Sequence, residues 1–226
     1  MRTRGLVIFD AVSVTAFALV SVWVATRLGA PSEGSIGWIG LGALAGLAAA
    51  DLATGAIHWI GDRCFRVSTP WIGRVLIQPF REHHGDPAAI TRHGFLEVTG
   101  NNALLLLPVL ALMAWFAPVF GHTAGASFGL AFLGAFAAAA VLSNPIHRWA
   151  HMRRVPASVA FLQRHRILLS PAHHARHHQG AHRTHFCVVT GWMNPLIDGL
   201  GRFRKRKPAL SAAERPRATG SELGRA

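Results

Sequence analysis

The chain has 226 residues, 51% of them apolar, and carries 23 Lys and Arg against 10 Asp and Glu, a formal net charge of +13. Apolar runs of twenty residues have no use in a water-soluble domain of this length, so the composition excludes an ordinary globule and calls for regular backbone in hydrocarbon. The two cysteines, Cys64 and Cys187, lack metal-site spacing and exclude a disulfide framework; reduced, partly buried thiols are expected.

Four runs are long and apolar enough to be membrane spans: about 6–28, 36–60, 102–120 and 126–146, the third being the shortest. The first follows Arg2 and Arg4 and could be misread as a signal peptide ending near Leu28-Gly29-Ala30. It is too long for a signal core and Asp10 interrupts it, so a retained anchor is expected. The second and fourth runs are rich in Gly and Ala (Gly40, Gly42, Gly46 and Gly55; Gly134 and residues 137–140), which lets helix backbones approach closely in lipid. Two stretches, 71–80 and 155–169, mix apolar and basic residues as interfacial helices do. Residues 173–185 are too polar to span and must fold over the helix ends. The fold class expected is an all-α membrane protein of about four transmembrane helices with a cytoplasmic histidine-rich cap and interfacial helices. Residues 1–207 form a single integral-membrane domain; residues 208–226 are expected to be a disordered basic tail.

Charge placement predicts orientation. The loops 29–35 and 121–125 carry no Lys or Arg, and Arg27 is the one base near them; the N-terminus, the loop 61–101 and the tail hold the other 22. The positive-inside rule then puts both termini and the long loop in the cytoplasm. Beside a membrane the run Arg204-Lys205-Arg206-Lys207 signifies attraction to anionic headgroups, so no nucleic-acid partner is expected.

Fourteen histidines outnumber the acids. Only His122 falls on the opposite side and is excluded from any site; the other thirteen can reach the cytoplasmic edge. His147 and His151, four apart, share a helix face suited to one metal ion. His174 can pair with His177 or His178, which point about 100° apart and can serve different metals. His58 with Asp62 gives another such pair, and Glu82-His83-His84 a fourth group. Asp62 would ligate or orient His58. Each pair alone is weak evidence; four groups on one face are strong. A structural zinc site closes with four ligands, whereas eight histidines suffice for two metals. Two irons held mainly by neutral imidazole, with positions open to oxygen, would oxidise C–H bonds that acid–base chemistry cannot touch.

The stretch Pro79-Phe-Arg-Glu-His-His-Gly-Asp-Pro-Ala-Ala-Ile-Thr-Arg-His93, followed by Phe95 and Glu97, resembles the plasmanylethanolamine desaturase / CarF family. So do Asp51, His58-Trp59, Asp62, the His147 pair, His173-His174-Ala-Arg-His177-His178, and Phe186-Cys187-Val-Val-Thr190-Gly191-Trp192-Met-Asn194. The similarity covers residues 51–204. It implies an O2-dependent di-iron oxidoreductase that converts a 1-alkyl ether phospholipid (plasmanylethanolamine) to its 1-alk-1′-enyl form, a plasmalogen. A sister branch desaturates palmitate on phosphatidylglycerol, but Ile90-Thr91-Arg92-His93 and Glu97 look closer to the ether-lipid branch.

The expected metal ligands are His58, His83, His84, His147, His151, His174, His177 and His178. His93, His173, Asp62, Asn144, Asp51 and Glu82 stand between ligation and support of the ligands; Arg81 and Arg92 are candidates for a lipid phosphate. His165, His182 and His185 are expected to be solvated or hydrogen-bonded. With no dinucleotide fingerprint and no haem-attachment motif in the chain, a separate electron donor is implied, cytochrome b5-like or a ferredoxin. The rivals are a related acyl-lipid desaturase or hydroxylase and a non-catalytic membrane metal-binding protein.

Overall fold

The computed structural model describes residues 3–28, 30–31, 34–73, 77–120, 123–179 and 182–203, and these are helices and turns without a strand. His122 and the tail beyond residue 203 lie outside the described residues. In chain order the helices are α1 (Arg4–Arg27), α2 (Ile36–Arg63), α3 (Gln78–Gly85), α4 (Phe95–Phe120), α5 (Ala124–Val141), α6 (Ser143–His151), α7 (Ala157–Arg164), α8 (Pro171–Ala175) and α9 (Asn194–Phe203); a 3₁₀ turn, Ala89–Arg92, leads into α4. Four of them, α1, α2, α4 and α5, are long and apolar enough to cross a membrane. Their outward side chains agree: Leu19, Val22, Leu44, Leu105 and Trp115 are exposed, which suits lipid and not water.

The four long helices pack as two pairs. In α1 and α4, Asp10 lies against Gly100 and Val24 clusters with Leu110, so the two run in the same direction. In α2 and α5, a β-carbon at Gly42 or Gly46 would overlap the carbonyl oxygens of Phe128 and Phe132, so glycine is what lets these backbones touch. The expected Gly/Ala packing of the second and fourth runs is thus observed. It brings the C-terminal ends of α2 and α5 to the same end of the molecule as the start of α4. With 28 residues α2 is roughly 42 Å long, more than the ~30 Å of a hydrocarbon layer, and its polar residues His58, Asp62 and Arg63 fall in its last two turns.

The structure moves several expected boundaries. The third run is not the shortest: α4 begins at Phe95, and its first turns are polar because Thr99 donates back to the Phe95 carbonyl and Asn102 donates to Ala140 and Ser143 across the interface. The fourth run is not one helix. It breaks at Leu142, since Pro145 has no N–H to continue the ladder to Val141, and α6 starts afresh at Ser143. His147 and His151 therefore ride on their own short helix rather than on the end of a span. In the stretch 71–80, Trp71 stands at φ 68° outside any helix, α3 begins at Gln78, and residues 74–76 lie outside the described residues. In 155–169 only Ala157–Arg164 is α-helical; the chain then turns through Arg166 at φ 58°. Residues 173–179 and 182–185 do fold over the helix ends, where Phe186 and Cys187 pack on Leu52, Ala56 and Trp59 of α2.

Candidate metal centre

Histidines from α2, α3, α6 and the α8 region meet above the ends of α2 and α5. They sort into two groups whose potential ligand atoms lie within 4.8 Å of one another: His83, His147, His151, His174 and His178, and His58, Asp62, His84 and His177. Local structure explains the sorting. Four apart on α6, His147 and His151 present Nε2 atoms 3.2 Å apart. Ser170 caps α8 by accepting from the His173 N–H, and the turn after α8 carries His177 and His178. Adjacent helical residues point about 100° apart. Each doublet therefore serves both groups: His83 and His178 face the first, His84 and His177 the second.

In the first group Nε2 of His174 lies 2.8 Å from that of His147 and 3.0 Å from that of His178. In the second, Asp62 Oδ2 is 3.5 Å from Nε2 of each of His58, His84 and His177. The His58 Nδ1–H donates to the Phe186 carbonyl and the His177 Nδ1–H to that of Thr184, so their Nε2 atoms present lone pairs to the carboxylate. Both Asp62 carboxylate oxygens and His83 Nε2 are buried without a hydrogen-bond partner among the described residues. A buried carboxylate facing lone pairs is strongly unfavourable unless a metal ion or a proton lies between them, and one metal ion would satisfy all four groups at once. Spacing agrees, since nitrogen–metal bonds of about 2.1 Å put neighbouring donors roughly 3.0 Å apart around an octahedral ion and roughly 3.4 Å around a tetrahedral one. The clusters thus have the chemistry and the spacing to bind metal.

Electrostatics keeps the ligands ready. Burial first, and neighbouring imidazoles second, push the pKa of His83 down to about 3, of His84 to about 2 and of His178 to about 3. Burial alone takes His151 to about 4; it also takes His177 to about 4 against the opposing pull of the Thr184 carbonyl. His147 and His174 lie well below the ordinary histidine value for the same reasons. Each ring is neutral at pH 7, the form a metal requires.

All eight histidines expected as ligands fall in these groups, joined by Asp62. The remaining candidates lie elsewhere. His93 is half exposed and pairs with Glu97 at 2.6 Å. His173 turns away from His174, its Nε2 accepting from Asn194 Nδ2 at 2.7 Å. Asn144 donates to the Val98 carbonyl, and Glu82 accepts from Gln78 one turn earlier. Asp51 is fully buried but bonds to backbone amides. Arg81 donates to the carbonyls of Asp62 and Phe65, which ties α3 to the end of α2; Arg92 pairs with Asp86 at 2.6 Å. Of the other histidines, His165 packs on Phe161, His185 approaches Asp198, and His182 stacks on His84 with centroids 4.1 Å apart. Sequence reasoning missed this last contact. It also missed Asn194 and the Phe186 and Thr184 carbonyls as supports of the imidazoles. Main-chain acceptors leave no compositional signal; Asn194 did stand in the stretch whose resemblance was noted.

The lipid desaturase domain family matches residues 47–218, which contain every member of both ligand groups. The chain is 42% identical over 184 residues to the plasmanylethanolamine desaturase of Myxococcus xanthus, covering 80% of this chain and 64% of that protein. It is 37% identical over 189 residues to plasmanylethanolamine desaturase 1 of Mus musculus, covering 79% and 68%. The chloroplastic fatty acid desaturase 4 of Arabidopsis thaliana is 32% identical over 166 residues, covering 70% and 47%. The chain thus spans between about half and two thirds of the length of these curated relatives. No solved structure matches it. With three quarters of its length accounted for and both histidine groups inside the matched region, the chain belongs to the lipid desaturase family.

Proposed function

We propose that this integral membrane protein is an O2-dependent desaturase that holds two irons, one in each ligand group, and forms the vinyl-ether double bond of plasmalogens from 1-alkyl-2-acyl-glycerophosphoethanolamine. The observation that carries the reading is the pair of adjoining groups, built by histidine doublets that each serve both. The substrate class rests on the two relatives named plasmanylethanolamine desaturase. Iron bound in these groups would supply the oxidising power, drawn from O2, that an unactivated C–H bond demands.

The protein's own part is to hold neutral donors, exclude water and align the substrate. His58, His84 and His177, with Asp62, would hold one ion; His83, His147, His151, His174 and His178 the other. Phe186, fully buried against His58 and His177, closes the second group to water. The reaction balances when C1 and C2 of the alkyl chain each lose a hydrogen, a separate donor supplies two electrons, two protons are taken up from water, and one O2 leaves as two waters. The basic face of the chain favours an acidic donor such as a cytochrome b5 or a ferredoxin. The same basic residues favour placement of the histidine cap and both termini in the cytoplasm, with the ether carbons next to glycerol at that interface.

A second reading is an acyl-lipid desaturase, favoured by the chloroplastic fatty acid desaturase among the relatives. Mass spectrometry of lipids from cells lacking the protein, and from the same cells regaining it or its His147→Ala variant, separates the two. Vinyl-ether phospholipid restored by the unaltered chain alone is the expected result. Unchanged vinyl-ether content with a new acyl double bond would replace the first reading by the second; a gain of oxygen would indicate hydroxylation.

A further inference from the structure

The geometry points to Asp51 as the positioning residue for both ligand groups, acting through residues 186–194 although it touches none of the ligands. The inference rests on the metal-holding reading of those groups. Asp51 lies two turns before His58 on α2, about 10 Å along the helix. Its side chain is fully buried. Oδ1 accepts the backbone N–H groups of Val189, Thr190 and Gly191 at 3.1, 2.8 and 3.1 Å, and Oδ2 accepts that of Met193 at 3.0 Å. Amides gathered in a turn make an anion-binding concavity, and an ionised carboxylate offers about four acceptor sites to fill it. Gly191 at φ 81° makes the turn, where a β-carbon would also press on His173 Nε2 at 2.8 Å.

Three links lead from this latch to the imidazoles. Asn194, next to the last latched residue, accepts from the Cys187 N–H at 2.8 Å and donates to His173 at 2.7 Å, which fixes α8 and with it His174. The Val189 carbonyl accepts from Leu169 N–H at 2.7 Å, fixing the strand of chain that enters α8. Phe186, beside Cys187, presents the carbonyl that accepts from His58 Nδ1 and so sets its tautomer. Gly55 of α2 lies against Cys187, where a side chain would push the segment away. One carboxylate on α2 thereby sets His58 in one group and His174 in the other.

Asp51→Asn tests this. It keeps the size, but offers fewer acceptor sites and sets an amide N–H against backbone donors. The full chain in nanodiscs, loaded with ferrous iron, is read by elemental analysis, amide exchange and thermal unfolding. Expected are an unchanged helical content, loss of amide protection at residues 189–193, and iron affinity lowered about tenfold to a hundredfold. Asp51→Glu, which retains the carboxylate, should recover part of both. Iron affinity and amide protection equal to those of the unaltered chain would overturn the inference. If the unaltered chain takes up no iron, the metal reading fails by itself. The nitrogen resonances of His58 then decide: a tautomer lost together with protection at 189–193 supports positioning, and a retained tautomer overturns it. If Asp51→Asn does not accumulate, Asn194→Ala leaves the latch whole and cuts the links to Cys187 and His173. Lower iron affinity at an unchanged unfolding temperature supports the inference, and unchanged affinity overturns it.

Discussion

The two ligand groups share two histidine doublets yet differ in charge. The first offers five neutral imidazoles; the second offers three with the carboxylate of Asp62. A divalent ion in the first would keep its full charge, whereas Asp62 cancels one unit in the second. The supports differ too. His58 and His177 have their Nδ1–H groups pinned by backbone carbonyls, while the buried Nδ1 atoms of His174 and His178 have no hydrogen-bond partner among the described residues. The second group is therefore oriented by main chain and the first mainly by close packing of its own rings. Adjacent residues can thus be asked for different chemistry, provided that a helix turns them into different surroundings.

Breaking the first group should have the largest effect. His174→Ala removes the ring that lies within 3.0 Å of both His147 and His178. Vinyl-ether product should fall by more than about a hundredfold, beyond the usual cost of losing a supporting residue, and metal content should drop from two ions per chain to one; product mass spectrometry and elemental analysis check both. Asp62→Asn breaks the second group by removing its only negative charge. Metal content should again fall by one ion, with activity down about tenfold to a hundredfold. If the two variants lose the same ion, the division into two groups is wrong.

Prying apart the helices that carry the groups should cost less. Gly46→Leu drives a side chain into the Phe132 carbonyl and should destabilise the bundle by about 1–3 kcal/mol, read as a lower unfolding temperature. Acidification sharpens the contrast further. In the metal-free protein, His83, His151, His177 and His178 titrate near 3 to 4 against an ordinary value of 6.5. Between about 4 and 6.5 the unfolded chain binds protons that the folded chain refuses, so stability falls as pH drops through that window and is indifferent to these groups above it. Thermal unfolding of metal-free protein from pH 7.5 to 5.5 should track this, and bound metal should deepen the loss because protons then also compete for its ligands. Unfolding temperatures that rise on acidification would contradict the neutral cluster. His93→Ala should do least. Its contact with Glu97 is half exposed and belongs to neither group, so product formation should match that of the unaltered chain and stability should change by less than about 1 kcal/mol.

Much of the bundle is readable from local pattern, because apolar runs and Gly/Ala stripes express a demand that every span must meet by itself. Where pattern failed, a backbone event intervened. Pro145 splits the fourth run, and Thr99 and Asn102 spend their polarity on carbonyls and a facing helix, so α4 starts earlier than its hydropathy suggests. The eight grouped histidines were visible as well, since i,i+4 pairs and doublets are local. His93 and His173 carry the same residue type in the same neighbourhood. Only their partners, Glu97 and Asn194, separate them from the ligand groups; Glu97 lies four positions from His93, but Asn194 lies twenty-one from His173 and that partnership leaves no mark in spacing.

The residues by themselves determined that this chain has four apolar spans, a one-sided stock of imidazole and a basic flank, for these follow from composition and from helical period. The tertiary structure decided which imidazoles share a centre, that Asp62 sits among three of them, and that Asp51 holds a turn well over a hundred positions away. Such groupings depend on how helix ends converge and on backbone carbonyls and amides that every residue possesses. The first is a long-range outcome of packing, and the second has no letter in the sequence.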